Sequence, residues 1–173
     1  KNSADIRLVG GCIRDALMHR EVKDIDTATK IEPKEVLNLL ENNNIEYDDF
    51  AIQYGSIIAY PLDQKVQITT LREDVNQIGR HTNVIYTTNW EKDAARRDFT
   101  FNAMYIGNNN KLYDYYNGEK DLNEKKIRFI GEIEERIKED YLRIYRYFRF
   151  LGLFELPNIT LKDQKIVEKY IHE

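Results

Sequence analysis

The chain has a single cysteine, Cys12, in 173 residues. No intrachain disulfide can form, and a lone thiol fits a reducing compartment, the cytoplasm. Long apolar runs are also missing. None approaches the ~20 residues that cross a bilayer, so no membrane span is expected, and no signal peptide is visible. Positive charge is not in excess: the formal net charge is −4, which gives no global attraction to nucleic acid. Nucleic-acid binding must then rest on a local basic patch. The three histidines, His19, His81 and His172, lack metal-ligand spacing and read as surface residues. Internal repeats and low-complexity stretches are absent. With 42% hydrophobic residues the chain has apolar material for a folded domain, and 32% charged residues give it a highly charged exterior. It begins with Lys1 rather than methionine and stops at Glu173 inside a helical pattern, so it reads as part of a longer protein.

What the chain does have is a dense block near its start. An apolar run, residues 6–9, ends in Gly10-Gly11, and residues 13–18 read as a short helix. A helix N-terminus just behind two glycines presents free N–H groups to an anion, and the glycines let a phosphate approach the backbone. The block closes on Asp24 and Asp26. Period-2 alternation puts both carboxylates on one face of a strand and Ile25 on the other. Two carboxylates so placed can share divalent metal, and the block as a whole suggests chemistry on a nucleoside triphosphate. Taken bare, an Asp-x-Asp pair reads equally as two solvated turn residues.

Further along, Pro33 opens a helix carrying Val36, Leu37, Leu39 and Leu40. Residues 56–60, a turn at 61–64, and residues 65–71 read as a hairpin. Residues 72–89 are polar and read as a mobile loop. Residues 91–105 read as a helix with a strand near its end, and residues 111–115 and 126–130 as two further strand-like pieces. From Ile133 the pattern is helical to the end, interrupted at 156–158. The expected class is therefore α/β (α+β) over roughly residues 1–130, followed by a helical part, 131–173.

Three more segments accompany the opening block: residues 93–104, which contain Arg96-Arg97-Asp98-Phe99-Thr100, residues 113–122, and residues 139–150, which begin Glu139-Asp140-Tyr141-Leu142-Arg143. In this order the four closely resemble the class II tRNA nucleotidyltransferases, the CCA-adding enzymes, and the related bacterial poly(A) polymerases. The resemblance covers nearly the whole chain. It implies a polymerase-β-like head with a mixed sheet, followed by a helical neck. It implies Mg²⁺ as cofactor, CTP and ATP as substrates and the tRNA 3′ end as partner. The expected reaction is addition of C, C and A without a nucleic-acid template. The alternatives are a poly(A) polymerase of the same superfamily, or a piece that binds nucleotide or RNA without turnover.

Residue roles follow from the same resemblance. Asp24 and Asp26 would be the catalytic metal ligands. A third carboxylate would stand just before Ile68, but that position is Gln67, and water or phosphate oxygens would fill the gap. Gly11, Arg14 and Arg97 resemble triphosphate contacts, Arg14 offering a bidentate fork. Asp15 would orient the local structure, and Asp98 and Asn102 would brace the site. Arg146 and Arg149 resemble later arginines of the same cleft. Arg72, Asp74 and Arg80 fall in a segment resembling the family's flexible loop. Phe99, Phe101, Ala103 and Met104 read as core, as do Leu142, Tyr145 and Phe148.

Asp140 and Arg143 lie three apart on an expected helix, so both side chains share a face. Cytosine and adenine each present an amine donor beside a ring acceptor, which a carboxylate and a guanidinium match. Uracil and guanine place a carbonyl where the amine would be, leaving buried groups unpaired, a mismatch that can discriminate by roughly 10⁴. On spacing alone the pair is an intrahelical salt bridge worth ~0.3–0.5 kcal/mol; beside the other motifs it reads as the base selector.

Overall fold

The computed structural model describes residues 5–78, 81–155 and 157–171. Strand β1 (Ile6–Val9) runs into Gly10 at φ 78, and α1 (Gly11–Leu17) begins on the next residue. A side chain is strained at that φ, so glycine is what allows a strand to become a helix in one step. β2 (Ile25–Thr29) follows, with Asp24 immediately before it and Asp26 as its second residue. Helix α2 (Pro33–Asn42) opens on the proline and buries Val36 and Leu40. β3 (Tyr47–Asp48) is too short to write an alternation into the sequence. β4 (Ser56–Ala59) and β5 (Val66–Thr70) form the predicted hairpin, pairing Ser56 with Thr69 and Ala59 with Val66.

The next segment departs from expectation. Instead of a polar loop at 72–89, β6 (Arg72–Ile78) and β7 (His81–Tyr86) form a two-stranded antiparallel ribbon outside the main sheet. Its two strands pair only with each other, and the polar side chains that open β6 are what read as a loop. Arg80, expected in that loop, lies outside the described residues. Of the stretch 91–105, read as a helix with a strand near its end, only α3 (Trp90–Ala95) is α-helical, and the strand follows at Met104. The chain is extended at Phe99, makes one 3₁₀ turn at Thr100–Asn102, and enters β8 (Met104–Gly107), which pairs with β9 (Leu112–Asp114). α4 (Gly118–Asn123) is capped from a distance: the Gly118 and Glu119 amides donate to the Asp114 carboxylate at 2.8 and 3.0 Å.

Residues 126–130 are not a strand of the sheet. A single bridge links Phe129 to Phe99, and Ile130 N donates to Asp98 O at 3.0 Å. Their apolar pattern records burial of Ile127, Phe129 and Ile130 rather than ladder pairing. The helical part is broken too. Asp140 is extended (φ −155, ψ 105) between α5 (Ile133–Glu139) and α6 (Leu142–Leu151), and α7 (Leu161–Lys169) closes the described chain.

The main sheet has the order β3-β4-β5-β2-β1-β8-β9. Only β2 and β5 run parallel, in a register that sets Asp26 beside Gln67. One aromatic cluster then joins sheet and helices. Phe101 lies 4.9 Å from Phe150 of α6 and 5.5 Å from Phe99, and Val167 and Tyr170 belong to the same core. The face of α6 that meets it carries Ile144, Tyr147 and Phe150. Leu142, Tyr145 and Phe148, expected in the core, are 42%, 75% and 44% exposed. Both stripes are apolar at helical spacing, and only the position of Phe99 and Phe101 selects between them.

Two glycines test this packing. A Cβ at Gly118 would collide with the Thr100 carbonyl, backbone against backbone, whereas at Gly152 nothing lies nearer than 3.7 Å and the backbone is helical. Gly118→Ala should cost about 1–3 kcal/mol in denaturant unfolding. Gly152→Ala should leave stability unchanged or raise it by up to about 1 kcal/mol.

Candidate active site

A polar cavity of about 740 Å³ opens where β1, α1, β2, the root of the ribbon, α3 and α6 converge. Gly11 and Arg14 of α1, Asp24 just before β2 and Asp26 within it, Arg72 and Asp74 of β6, and Arg97 line it from the sheet side. Asp140, Arg143, Arg146 and Arg149 line it from the helical side. Every predicted site residue among the described ones is thus brought to one space. Arg20 and Lys23 also reach it and were not anticipated; they lie inside the first block but carry no motif of their own.

Arg14 is buried and held on three sides. Its Nη1 donates to Asn102 Oδ1 at 2.8 Å, and its Nε and Nη2 each donate to the Asp15 carboxylate at 2.9 Å. Asn102 Nδ2 in turn donates to Asp98 Oδ1 at 3.0 Å, and Asp98 Oδ2 pairs with Arg146 Nε at 2.8 Å. Asp15, Asp98 and Asn102 therefore brace the site as expected, and Asp98 ties α6 to the strand side. No side chain caps α1, and its first turn carries no acidic residue.

Arg97 depends on a residue the sequence reading passed over. The buried Asp93 accepts from Arg97 Nη2 at 3.2 Å, Tyr105 Oη at 2.7 Å, Arg96 Nε at 2.9 Å and the Arg72 amide at 3.2 Å. Burial alone would raise the Asp93 carboxyl, but Arg97 and Arg96 overcome that and hold it down at about 2. Against its own burial, Tyr105 and Asp93 raise Arg97 above its ordinary value, and burial raises Tyr105. The signal was present in sequence as an acid three and four residues before a pair of arginines on one helix.

At the carboxylate end, Asp26 is pushed above the usual carboxylate range by burial and by the neighbouring charge of Asp24, against the pull of Arg97 and Lys65. Crowded negative charge of this kind is what a divalent cation relieves, so the donor set fits hard-ion binding. Among the described residues no group of three or more carboxylate, histidine or cysteine side chains could hold a metal. Gln67, in register beside Asp26, instead donates its Nε2 to Ser56 Oγ at 3.0 Å. Cys12 is no nucleophile: burial raises its thiol, which donates to Val9 O at 3.3 Å.

The base-selector pair needs a correction. Asp140 sits in the break between α5 and α6, so it does not share a helix face with Arg143. Its Oδ1 accepts from the Leu142 amide at 3.0 Å and caps α6. Arg143 is buried, and its Nη1 pairs with Glu139 Oε2 at 2.6 Å, not with Asp140. Both line the cavity, Asp140 from the break between the helices and Arg143 from the first turn of α6. Arg72 and Asp74 are likewise not at a loop tip. They form a 3.5 Å pair in β6 at the ribbon's root, with Asp74 3.9 Å from Arg96.

Removing the charge of Asp93 should be felt strongly. Its carboxyl falls from 3.8 to about 2 on folding, so its contribution is present above about pH 4 and lost as pH falls toward 2. Asp93→Asn should cost about 2–3 kcal/mol at neutral pH and flatten the loss of stability between pH 4 and 2, read by denaturant unfolding across pH.

Comparison with known proteins gives this geometry its relatives. The family model for the poly(A) polymerase head domain matches residues 6–128. Human CCA tRNA nucleotidyltransferase 1, mitochondrial, is 44% identical over 153 residues, 88% of this chain and 35% of that protein. The CCA-adding enzyme of Oceanobacillus iheyensis is 38% identical over 168 residues, 94% of this chain and 41% of that one. The crystal structure of the Bacillus stearothermophilus CCA-adding enzyme with CTP aligns at a TM-score of 0.85 and 26% identity, covering 97% of this chain and 40% of that one. A tRNA nucleotidyltransferase complexed with a primer tRNA and an incoming ATP analog aligns at 0.79 and 26% identity, covering 98% of this chain and 47% of that one. The chain spans between a third and a half of the length of the proteins it matches. The family model covers more than two-thirds of the chain, and the chain belongs to the poly(A) polymerase head-domain family.

Proposed function

We propose that the chain is the catalytic head (residues 1–130) and the start of the helical neck (131–173) of a tRNA nucleotidyltransferase. The enzyme adds C, C and A to the tRNA 3′ end from CTP and ATP, without a template, and releases diphosphate. The observation that carries this reading is the single cavity with Asp24 and Asp26 on one wall and Asp140 and Arg143 on the other. One wall holds what phosphoryl chemistry needs, and the other holds a donor and an acceptor for a base edge. The relatives named for CCA addition, and the neighbours solved with CTP or with tRNA and an ATP analog, support the same substrates. The buried, protonated Cys12 fits the reducing cytoplasm, where we place the protein.

In this reading Arg14, Arg97, Arg146 and Arg149 hold the triphosphate, and the uncapped first turn of α1 faces the same space. Asp24 and Asp26 would hold Mg²⁺, which when bound acidifies the attacking hydroxyl and neutralises the leaving group. The 3′-hydroxyl oxygen of the primer bonds to the α-phosphorus, the bond from that phosphorus to the bridging oxygen breaks, and diphosphate departs. With Oδ1 of Asp140 committed to the Leu142 amide, its Oδ2 is left to accept the exocyclic amine of C or A. Arg143, with Nη1 committed to Glu139, turns its remaining donors to the ring acceptor.

The full-length protein, given tRNA lacking CCA and each nucleotide alone, should incorporate CTP and then require ATP. Efficient ATP-only tailing without CTP use would make it a poly(A) polymerase instead. Asp24→Ala or Asp26→Ala should slow incorporation by about 10³-fold or more, from the several kcal/mol that metal chemistry supplies. Asp140→Ala should relax CTP-over-UTP choice more than it weakens triphosphate binding; unchanged discrimination would remove it from base selection.

A further inference from the structure

Arg136 of α5 was not singled out by any motif, and it does not line the main cavity. It faces a smaller neighbouring cavity of about 420 Å³, together with Glu139, while Asp74 and Arg96 stand in the wall common to both. Its two terminal nitrogens are nonetheless both engaged, while its buried Nε has no partner. Nη2 donates to the carbonyls of Arg96 and Arg97 at 2.6 and 3.0 Å, and Nη1 pairs with Glu139 Oε2 at 2.5 Å. That same Oε2 accepts from Arg143 Nη1 at 2.6 Å, and Arg143 Nη1 also donates to the Arg136 backbone carbonyl at 2.6 Å. Arg143 Nη1 thus rests in a seat of two acceptors, one the backbone of Arg136 and the other a carboxylate fixed by the Arg136 side chain.

We infer that Arg136 is a positioning residue, which clips the backbone at Arg96-Arg97 to Glu139 and so sets the guanidinium of Arg143 against the incoming base. The inference rests on the base-reading role proposed for Arg143. Its physical content is a fixed spacing. Arg97 enters the cavity from the backbone that Arg136 grips, and Arg143 enters from the carboxylate that Arg136 grips, so one planar fork holds the two arginines in register. A lysine cannot reproduce it, because the contacts call for separate donors held in one plane. Glu139 is equally necessary: it is the one anion between two guanidinium groups that would otherwise repel. Arg136 acts through Arg143 and touches no substrate.

The test uses the full-length protein with tRNA lacking CCA, and measures kcat and KM for CTP and UTP, CTP binding, and Tm. Arg136→Gln should lower CTP-over-UTP discrimination and kcat for CTP by roughly tenfold or more while CTP binding changes less than about threefold. Arg136→Lys should recover Tm but not discrimination. A loss of Tm and kcat with discrimination intact would overturn the inference and leave Arg136 a packing residue. Arg143→Ala is the control that separates the two claims. If it alone alters discrimination while Arg136→Gln does not, the clip is wrong and the base reading stands; if it leaves discrimination intact, both are wrong. Should Arg136→Gln fail to fold, Glu139→Gln, which keeps the shape of the seat and removes its charge, must show the same loss of discrimination.

Discussion

Repulsion between guanidinium groups is the constraint around which this molecule is arranged. A cavity meant for a polyanion must gather arginines, and arginines gathered in a partly buried space repel one another. Here almost every one has its own carboxylate: Arg14 has Asp15, Arg72 has Asp74, Arg96 and Arg97 share Asp93, Arg143 has Glu139, and Arg146 has Asp98. Arg149 packs instead with its guanidinium 5.3 Å from the Phe150 ring. This pairing also explains how a chain of net charge −4 can present a cationic site. Over the whole chain 30 acids outnumber 26 lysines and arginines, while the arginines gather at the cavity.

The fold serves that arrangement by fixing distance. Phe99 and Phe101 leave the turn after α3 and pack against Phe150, so the strand side and α6 share one core. The cavity is the polar gap left above that core, and its two walls cannot separate without exposing aromatic rings. Asp98, at the junction, accepts from Asn102 on one side and forms an ion pair with Arg146 on the other. Packing and electrostatics thus act at the same few residues, which is why the arginine network has a defined shape rather than being a mobile basic surface.

Local patterns made part of this visible in the sequence. The Gly10-Gly11 break, the Asp24–Asp26 strand, the proline-started α2 and the β4–β5 hairpin each obey a short-range rule, and the structure follows it. What the sequence hid depends on partners far away. The ribbon at 72–86 pairs only with itself, outside the main sheet. Residues 126–130 are apolar because they enter the core, not because they pair. The inward stripe of α6 was chosen by Phe99 and Phe101, some forty residues earlier. Asp140 was read as helical because nothing local marks the break, and its placement changes the meaning of the Asp140–Arg143 spacing. Asp93 is legible by the same kind of rule, since an acid followed at three and four residues by arginines is a helical ion-pair pattern.

The central claim is that one cavity places a nucleotide between a carboxylate wall and a base-reading wall. A crystal structure of the full-length protein with CTP and Mg²⁺ tests it most directly. The account predicts metal oxygens of Asp24 and Asp26 at about 2.0–2.1 Å, the triphosphate among Arg14, Arg97, Arg146 and Arg149, and the cytosine edge on Asp140 and Arg143. CTP bound with its base directed away from Asp140 and Arg143, or with metal held elsewhere than by Asp24 and Asp26, would contradict it.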